Sequence, residues 1–130
     1  MKLFGLILTL ITTASVVHAR PAGLEISSTK PQIEQRINHS FGRIFVNTTA
    51  YVRYDITNTG DVLIPFEGAY VYGANFTARH NCGDGIAAKA RCHVDIRYWP
   101  MTEGHHTGEV DMLFGENNDI QFFLWGEATR

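Results

Sequence analysis

The chain has 130 residues, 45% of them hydrophobic, which is the size and composition of one domain with a buried core. That composition excludes a chain that is disordered throughout. The formal net charge is −2 and the basic residues form no cluster, so neither nucleic acid nor an anionic membrane surface is expected as a partner.

Residues 1–19 have the features of a secretory signal peptide. Lys2 precedes an apolar run from Leu3 to Ile11, and Ala19 supplies the small residue before the expected cleavage point. This run of about nine residues is far shorter than the ~20 that cross a bilayer. We therefore predict an exported protein, periplasmic or extracellular, with no membrane span once the signal is removed.

Residues 20–40 are predicted to form an N-terminal segment, with a possible first strand at Leu24-Glu25-Ile26, and residues 41–130 the main domain. Apolar residues there recur with a period of two, while the helical spacing of three and four residues is not sustained. The clearest alternation places Cys92, Val94, Ile96 and Tyr98 on one face of a strand. The pattern predicts an all-β, immunoglobulin-like antiparallel β-sandwich of about seven or eight short strands.

Three further segments carry less regular strand signals. Val62-Leu63-Ile64 predicts a strand that Pro65 ends, and Glu67–Thr77 predicts a short strand followed by a loop. Glycine and charged residues at 103–106 predict a turn that contains both His105 and His106.

The two cysteines, Cys82 and Cys92, predict one disulfide, because an exported chain folds in an oxidising compartment. The bond would close a loop of about eleven residues and stabilise the domain by about 3 kcal/mol. We interpret it as structural.

The order of several short motifs is similar to that of a known domain family. The motifs are Phe41-Gly42, Val46, Asn58-Thr59-Gly60, Cys92-x-Val94-x-Ile96-x-Tyr98-x-Pro100, Gly104 with Gly108, and Leu124-x-Gly126. From Phe41 to Ala128 the chain resembles the ASPM/SPD-2/Hydin domain, and more closely the bacterial secreted relatives called choice-of-anchor D domains. The resemblance implies a fold of the PapD-like and major-sperm-protein-like immunoglobulin superfamily. Tyr98 stands where that family usually has phenylalanine.

Two groups of histidines are candidate metal ligands. His80 and His93 flank the cysteines, but Cys92 and His93 are neighbours on a strand and point to opposite faces, and a disulfide removes both thiolates. His105 and His106 are weak candidates for a surface copper or zinc site, since a turn would hold them together. We predict no metal and no cofactor.

A catalytic site is not predicted either. The serines after residue 19 are Ser27, Ser28 and Ser40, and none lies in a Gly-x-Ser-x-Gly motif. The glycines are scattered among turns rather than placed between a strand and a helix, so no phosphate-binding loop is indicated. The chain is therefore predicted not to be an enzyme.

Four apolar side chains alternate out of phase with the inward-facing rows, so they are expected on the outer faces of their strands: Trp99, Leu113, Phe123 and Trp125. Unless the N-terminal segment or the tyrosine-containing loop covers them, these side chains form an exposed aromatic patch, and such patches mark partner surfaces. The first hypothesis is thus an exported, non-catalytic module that binds a protein or an envelope assembly through this patch or through an edge strand. The alternatives are a small secreted metal- or ligand-binding protein, using His105, His106 and the tyrosines near Tyr70 and Tyr72, or a piece of an extracellular stalk or adhesin. The sequence does not indicate an oligomeric state.

Overall fold

The structure, a computed structural model, describes residues 24–26, 35–115 and 118–130. These residues form eight strands and no helix. The strands are β1 (Leu24–Ile26), β2 (Gln35–Phe45), β3 (Ala50–Asn58), β4 (Phe66–Tyr72), β5 (Phe76–His80), β6 (Arg91–Tyr98), β7 (Gly104–Phe114) and β8 (Ile120–Thr129). The predicted signal peptide lies outside the described residues.

Two four-stranded sheets make up the sandwich. Sheet A has the strand order β1-β3-β6-β5, and sheet B has the order β2-β8-β7-β4. The predicted immunoglobulin-like fold with one disulfide is confirmed. One strand pair departs from the antiparallel expectation, because β2 runs parallel to β8.

The core lies between the sheets and is built from the alternating rows that the sequence predicts. Cys92, Val94, Ile96 and Tyr98 of β6 are all buried. Val110, Met112 and Phe114 of β7 face them together with Ile120, Phe122 and Leu124 of β8. Burial of a side chain of this size stabilises the fold by about 1.5–3 kcal/mol, which makes these rows the main source of stability.

The N-terminal part of the described chain is more regular than expected. The possible strand at Leu24–Ile26 is confirmed as β1, which pairs with β3. Strand β2 begins at Gln35 and runs through residue 41, the predicted start of the main domain. A register shift between Ser40 and Arg43 contains Gly42, whose φ of 71° suits glycine.

The segment after β3 is a loop rather than the predicted strand. Val62 and Leu63 are exposed, and only Ile64 forms a bridge, with Ile86. The buried Asn58 side chain holds this loop by donating to the carbonyl oxygens of Val62, Ile86 and Ala87. Side-chain hydrogen bonds of this kind satisfy a loop backbone without a strand partner. The segment 67–77, predicted as one strand and a loop, contains β4 and the start of β5.

Two tyrosine–histidine hydrogen bonds cross the core from one sheet to the other. Tyr98 of β6 bonds His106 of β7 with 2.7 Å between Oη and Nδ1, and Tyr54 of β3 bonds His39 of β2 at 3.0 Å. The ring of Tyr98 also stacks on Phe76, with centroids 4.9 Å apart. Buried tyrosine hydroxyls require such partners, so these pairs fix the two sheets relative to each other.

Nothing in the described part of the chain is a helix that could span a membrane.

Candidate interaction surface

The disulfide joins Cys82, just after β5, to Cys92 on the neighbouring strand β6, with Cα atoms 5.2 Å apart. This confirms the predicted pairing. Both cysteines are buried, and the loop between them turns where the Gly85 amide donates to the Cys82 carbonyl oxygen at 2.9 Å. The bond therefore fastens a loop to the core and leaves no thiol for chemistry.

The turn predicted around His105 and His106 is wrong, because both residues lie in strand β7. Consecutive strand residues point to opposite faces. His105 is exposed beside Glu127, whereas His106 points inward to Tyr98. The two imidazoles therefore cannot share a metal ion. No group of three or more metal-binding side chains occurs within residues 24–26, 35–115 and 118–130.

The histidines near the disulfide also have structural contacts. His80 Nδ1 accepts a hydrogen bond from the Cys82 amide at 3.0 Å, and its ring lies 4.8 Å from that of Phe66. His93 is on the outer face of sheet A, opposite to Cys92, as strand parity predicts. His80 and His93 therefore do not meet the two cysteines at a common site, although the four residues are close in the sequence.

The outer face of sheet A is largely charged. Arg53 and Asp95 form two hydrogen bonds, 2.6 Å from Nε to Oδ1 and 2.9 Å from Nη2 to Oδ2. The Arg53 hydrogen bond lowers the pKa of Asp95 and is the largest cause of that shift. Trp99 belongs to this side of the sandwich, where the Arg97 guanidinium lies 5.0 Å from its ring centroid. Such a face is typical of a solvated sheet surface.

The outer face of sheet B is different, because apolar side chains from three adjacent strands meet there. The strand register places Tyr72 of β4 opposite Glu109 of β7, and Glu109 opposite Phe123 of β8. Tyr70, Asp111 and Gln121 form the next row. We call this surface the outer B face and define it by seven residues: Tyr70, Tyr72, Glu109, Asp111, Leu113, Phe123 and Trp125.

Three of the aromatic side chains on the outer B face are well exposed. Tyr70 is 51%, Tyr72 55% and Trp125 45% accessible to solvent, while Leu113 and Phe123 are half-buried. The Tyr70 ring lies over Gly68, which is opposite Leu113 on β7. Of the four residues that parity predicts for an exposed patch, Leu113, Phe123 and Trp125 lie on this surface. Trp99 lies on the side of sheet A and is not part of it.

The centre of the outer B face carries two carboxyl groups. Burial is the largest cause that raises the pKa of Asp111, to about 7; a hydrogen bond from the protonated Asp111 carboxyl to Glu109 and the charges of Glu109 and Asp119 act in the same direction. Its Oδ1 is buried and has no hydrogen-bond partner among the described residues. Sequence reasoning missed these acids, although their spacing of two on a strand predicts a common face.

Comparison with solved structures places the sandwich in a known fold class. The PapD-like domain 7 of human CEP192 matches with a TM-score of 0.55 and 13% identity, over 95% of this chain and 98% of that one. A protein of unknown function from Porphyromonas gingivalis W83 matches with a TM-score of 0.58 and 10% identity, over 87% of this chain and 50% of that one.

The Vibrio cholerae protease VesB also matches, with a TM-score of 0.58, 11% identity and coverage of 83% of this chain. The chain spans only 32% of VesB, and 21% of the related match, the secreted protease VesC. No protein-family model and no curated protein sequence matches the chain.

These likenesses define the class of the protein as an immunoglobulin-like β-sandwich. Within that class the chain has a fold similar to PapD-like domains, and the resemblance seen in the sequence motifs is confirmed at this level. At identities of 10–15% the matches show the fold and do not transfer an activity.

Proposed function

We propose that the chain is an exported, non-catalytic protein-interaction module and that the outer B face is its binding surface. The observation that carries the proposal is the group of exposed aromatic side chains, Tyr70, Tyr72 and Trp125, on one sheet face. Aromatic residues on an open surface are the usual anchors of protein interfaces.

Three further observations support the individual parts of this proposal. A closed disulfide is typical of proteins that fold in an oxidising compartment, such as the periplasm or the extracellular space. Strand β4 is an edge strand, so its outer backbone groups are open to pairing with a partner strand beside Tyr70 and Tyr72. The fold is similar to that of PapD-like domain 7 of human CEP192, and a fold of that class is consistent with such a role.

The test is a pull-down after in-situ crosslinking in cells that express the chain naturally, with identification of captured proteins by mass spectrometry. Trp125→Glu and Leu113→Glu place charge on the outer B face, whereas Tyr51→Glu places the same charge on the outer face of sheet A. We expect the first two variants to lose the captured partner and the third to retain it. Equal capture by all three folded variants would contradict the proposal.

A further inference from the structure

Three of the four edge strands carry features that hinder pairing with another strand. Strand β1 has only three residues. Strand β2 exposes Arg36 and Arg43 and has a register shift before Arg43. Strand β5 has five residues and exposes Arg79. Short length, exposed charge and bulges are the usual protection of a sheet edge against further pairing.

The fourth edge strand, β4, lacks this protection over residues 68–72. These five residues carry no charge and pair with β7 without a register shift. Tyr70, Val71 and Tyr72 are all exposed, and Val71 is 40% accessible although it lies opposite the buried Val110. No strand among the described residues pairs with the other side of β4. The backbone N–H and C=O groups along that side can therefore receive another strand.

Residues 68–72 are complementary to themselves when a second copy of β4 runs antiparallel to the first with Tyr70 at the centre. Tyr70 then lies opposite its own copy, and the larger residues lie opposite smaller ones: Val71 opposite Ala69, and Tyr72 opposite Gly68. The Tyr70 ring already covers Gly68 of its own strand, so an incoming Tyr72 ring meets an aromatic ring there. Cross-strand pairs of this kind stabilise an antiparallel ladder.

Charge favours the same register. The carboxylate of β4 belongs to Glu67, which lies opposite Gly73 of the second copy and therefore meets no like charge. Centring the pairing on Ala69 instead would place Glu67 opposite the apolar Val71. By comparison, self-pairing of β2 or β5 would place arginines of both copies on the same edge.

We propose that two copies of this chain associate through antiparallel pairing of β4 with β4, about a two-fold axis that passes between the two Tyr70 residues. The pairing joins the two four-stranded B sheets into one continuous sheet. It uses the one unprotected edge of each copy, so association stops at two. This inference goes beyond the proposed function and does not depend on it.

The two-fold axis is perpendicular to the joined sheet, so both outer B faces lie on the same side of the dimer. Phe123 and Trp125 stand on β8, which is separated from the contact by β7 and β4, and they stay uncovered. The dimer thus presents two copies of the outer B face side by side. Such an arrangement favours a partner with repeated binding sites.

Sedimentation velocity of the purified chain over a range of about 1 to 500 µM tests the association. The contact is a single short strand pair, so we expect a dissociation constant on the order of 10–100 µM. Val71→Lys places a cation on the open edge and should raise this constant at least about tenfold. Val62→Lys is the matched control, because it makes the same change at a similarly exposed loop position and should leave the constant unchanged.

Cysteine substitutions test the register independently of the stability of Val71→Lys. Tyr70→Cys places two thiols directly opposite each other at the axis, and mild oxidation should give a covalent dimer. In Tyr72→Cys the two thiols are four residues out of register, about 13 Å along the strands, and no covalent dimer should form.

The outcomes separate this inference from the proposed function. A monomer throughout the concentration range would overturn the dimer and leave the outer B face as the proposed partner surface. Equal dimerisation of Val71→Lys and Val62→Lys would show that the contact is not at β4. Association that is lost in Trp125→Glu but not in folded Val71→Lys would assign it to the outer B face and would also overturn the pairing of β4. Equal crosslinking of Tyr70→Cys and Tyr72→Cys would contradict the register.

Discussion

Tyr98 Oη and His106 Nδ1 lie 2.7 Å apart and join the two sheets through the core. Burial raises the pKa of Tyr98, so the phenol keeps its proton and is the donor of this hydrogen bond in the His106 tautomer that leaves Nδ1 unprotonated. The imidazole then carries its own proton on Nε2, which lies 3.2 Å from Thr102 Oγ1. The chain Tyr98–His106–Thr102 is thus a directed series of hydrogen bonds from the core to the surface.

Tyr98→Phe tests how much the Tyr98–His106 hydrogen bond stabilises the protein. The ring keeps its stacking on Phe76, but His106 Nδ1 loses its donor, so the free energy of unfolding should fall by about 1 kcal/mol. Urea unfolding at neutral pH measures the difference. Because phenylalanine keeps the buried ring and its stacking, the variant should still fold. An unchanged midpoint would mean that the hydrogen bond does not stabilise the sandwich.

Gly126→Ala tests how tightly the same ring is held. A Cβ at Gly126 would overlap the Tyr98 ring, which cannot move easily between Phe76 and His106. Overpacking of this kind costs about 1–3 kcal/mol, and thermal unfolding should show it. Gly83→Ala is the matched control, since nothing lies within 4 Å of the added atom. Equal melting temperatures for the two variants would contradict the packing described here.

Because the pKa of His39 is lowered by burial, we predict that the folded protein loses stability in mild acid. Burial lowers its pKa in the folded state, so the unfolded chain binds a proton more readily, and stability decreases as the pH falls below about 6.5 towards the folded-state value. His39→Gln keeps a polar partner for Tyr54 but cannot be charged. Denaturant unfolding at pH 7.5 and 5 should show a smaller acid effect for this variant than for the wild type. Identical pH dependence would exclude His39 as the cause.

The raised pKa of Asp111 gives the stability of the fold the opposite pH dependence. Its folded-state pKa of about 7 lies above that of an unfolded aspartate, so it favours the folded state in acid and this contribution is lost as the pH rises through about 7. Asp111→Asn mimics the protonated acid. It should raise the free energy of unfolding at pH 8 by on the order of 1 kcal/mol, after allowance for solvent screening, and have little effect at about pH 3, where the aspartate of the unfolded chain is protonated as well. A lower free energy of unfolding for Asp111→Asn than for the wild type at pH 8 would contradict the raised pKa of Asp111.

Much of the fold could be predicted because its strands have one buried face. The alternation in β6, the strand at Leu24–Ile26 and the disulfide all follow from residue type and spacing. The sequence wrongly predicts a turn at His105–His106 because glycines such as Gly104 and Gly108 usually mark turns. In this structure Gly108 is within a strand, where a Cβ would come 2.5 Å from the Phe76 ring. A glycine that makes room for a core aromatic ring has the same sequence signature as one that makes a turn.

The candidate surface was only partly accessible to sequence reasoning. Strand parity places Trp99 and Trp125 outward, but parity within a strand does not say which sheet that strand joins. Pairing puts Trp125 on sheet B and leaves Trp99 beside Arg97 on sheet A. The positions of Tyr70 and Tyr72 on the outer B face depend on the pairing of β4 with β7, which is a tertiary contact. The local sequence carries no signal for it.

The most direct test of the central claim is site-specific photo-crosslinking in cells that express the chain naturally. A photoreactive phenylalanine analogue replaces Phe123 on the outer B face or, as the control, Tyr51 on the outer face of sheet A. We expect a discrete crosslinked protein from position 123 that is absent from position 51 and is lost when Trp125→Glu is added. A discrete crosslink from position 51 alone would contradict the outer B face as the binding surface.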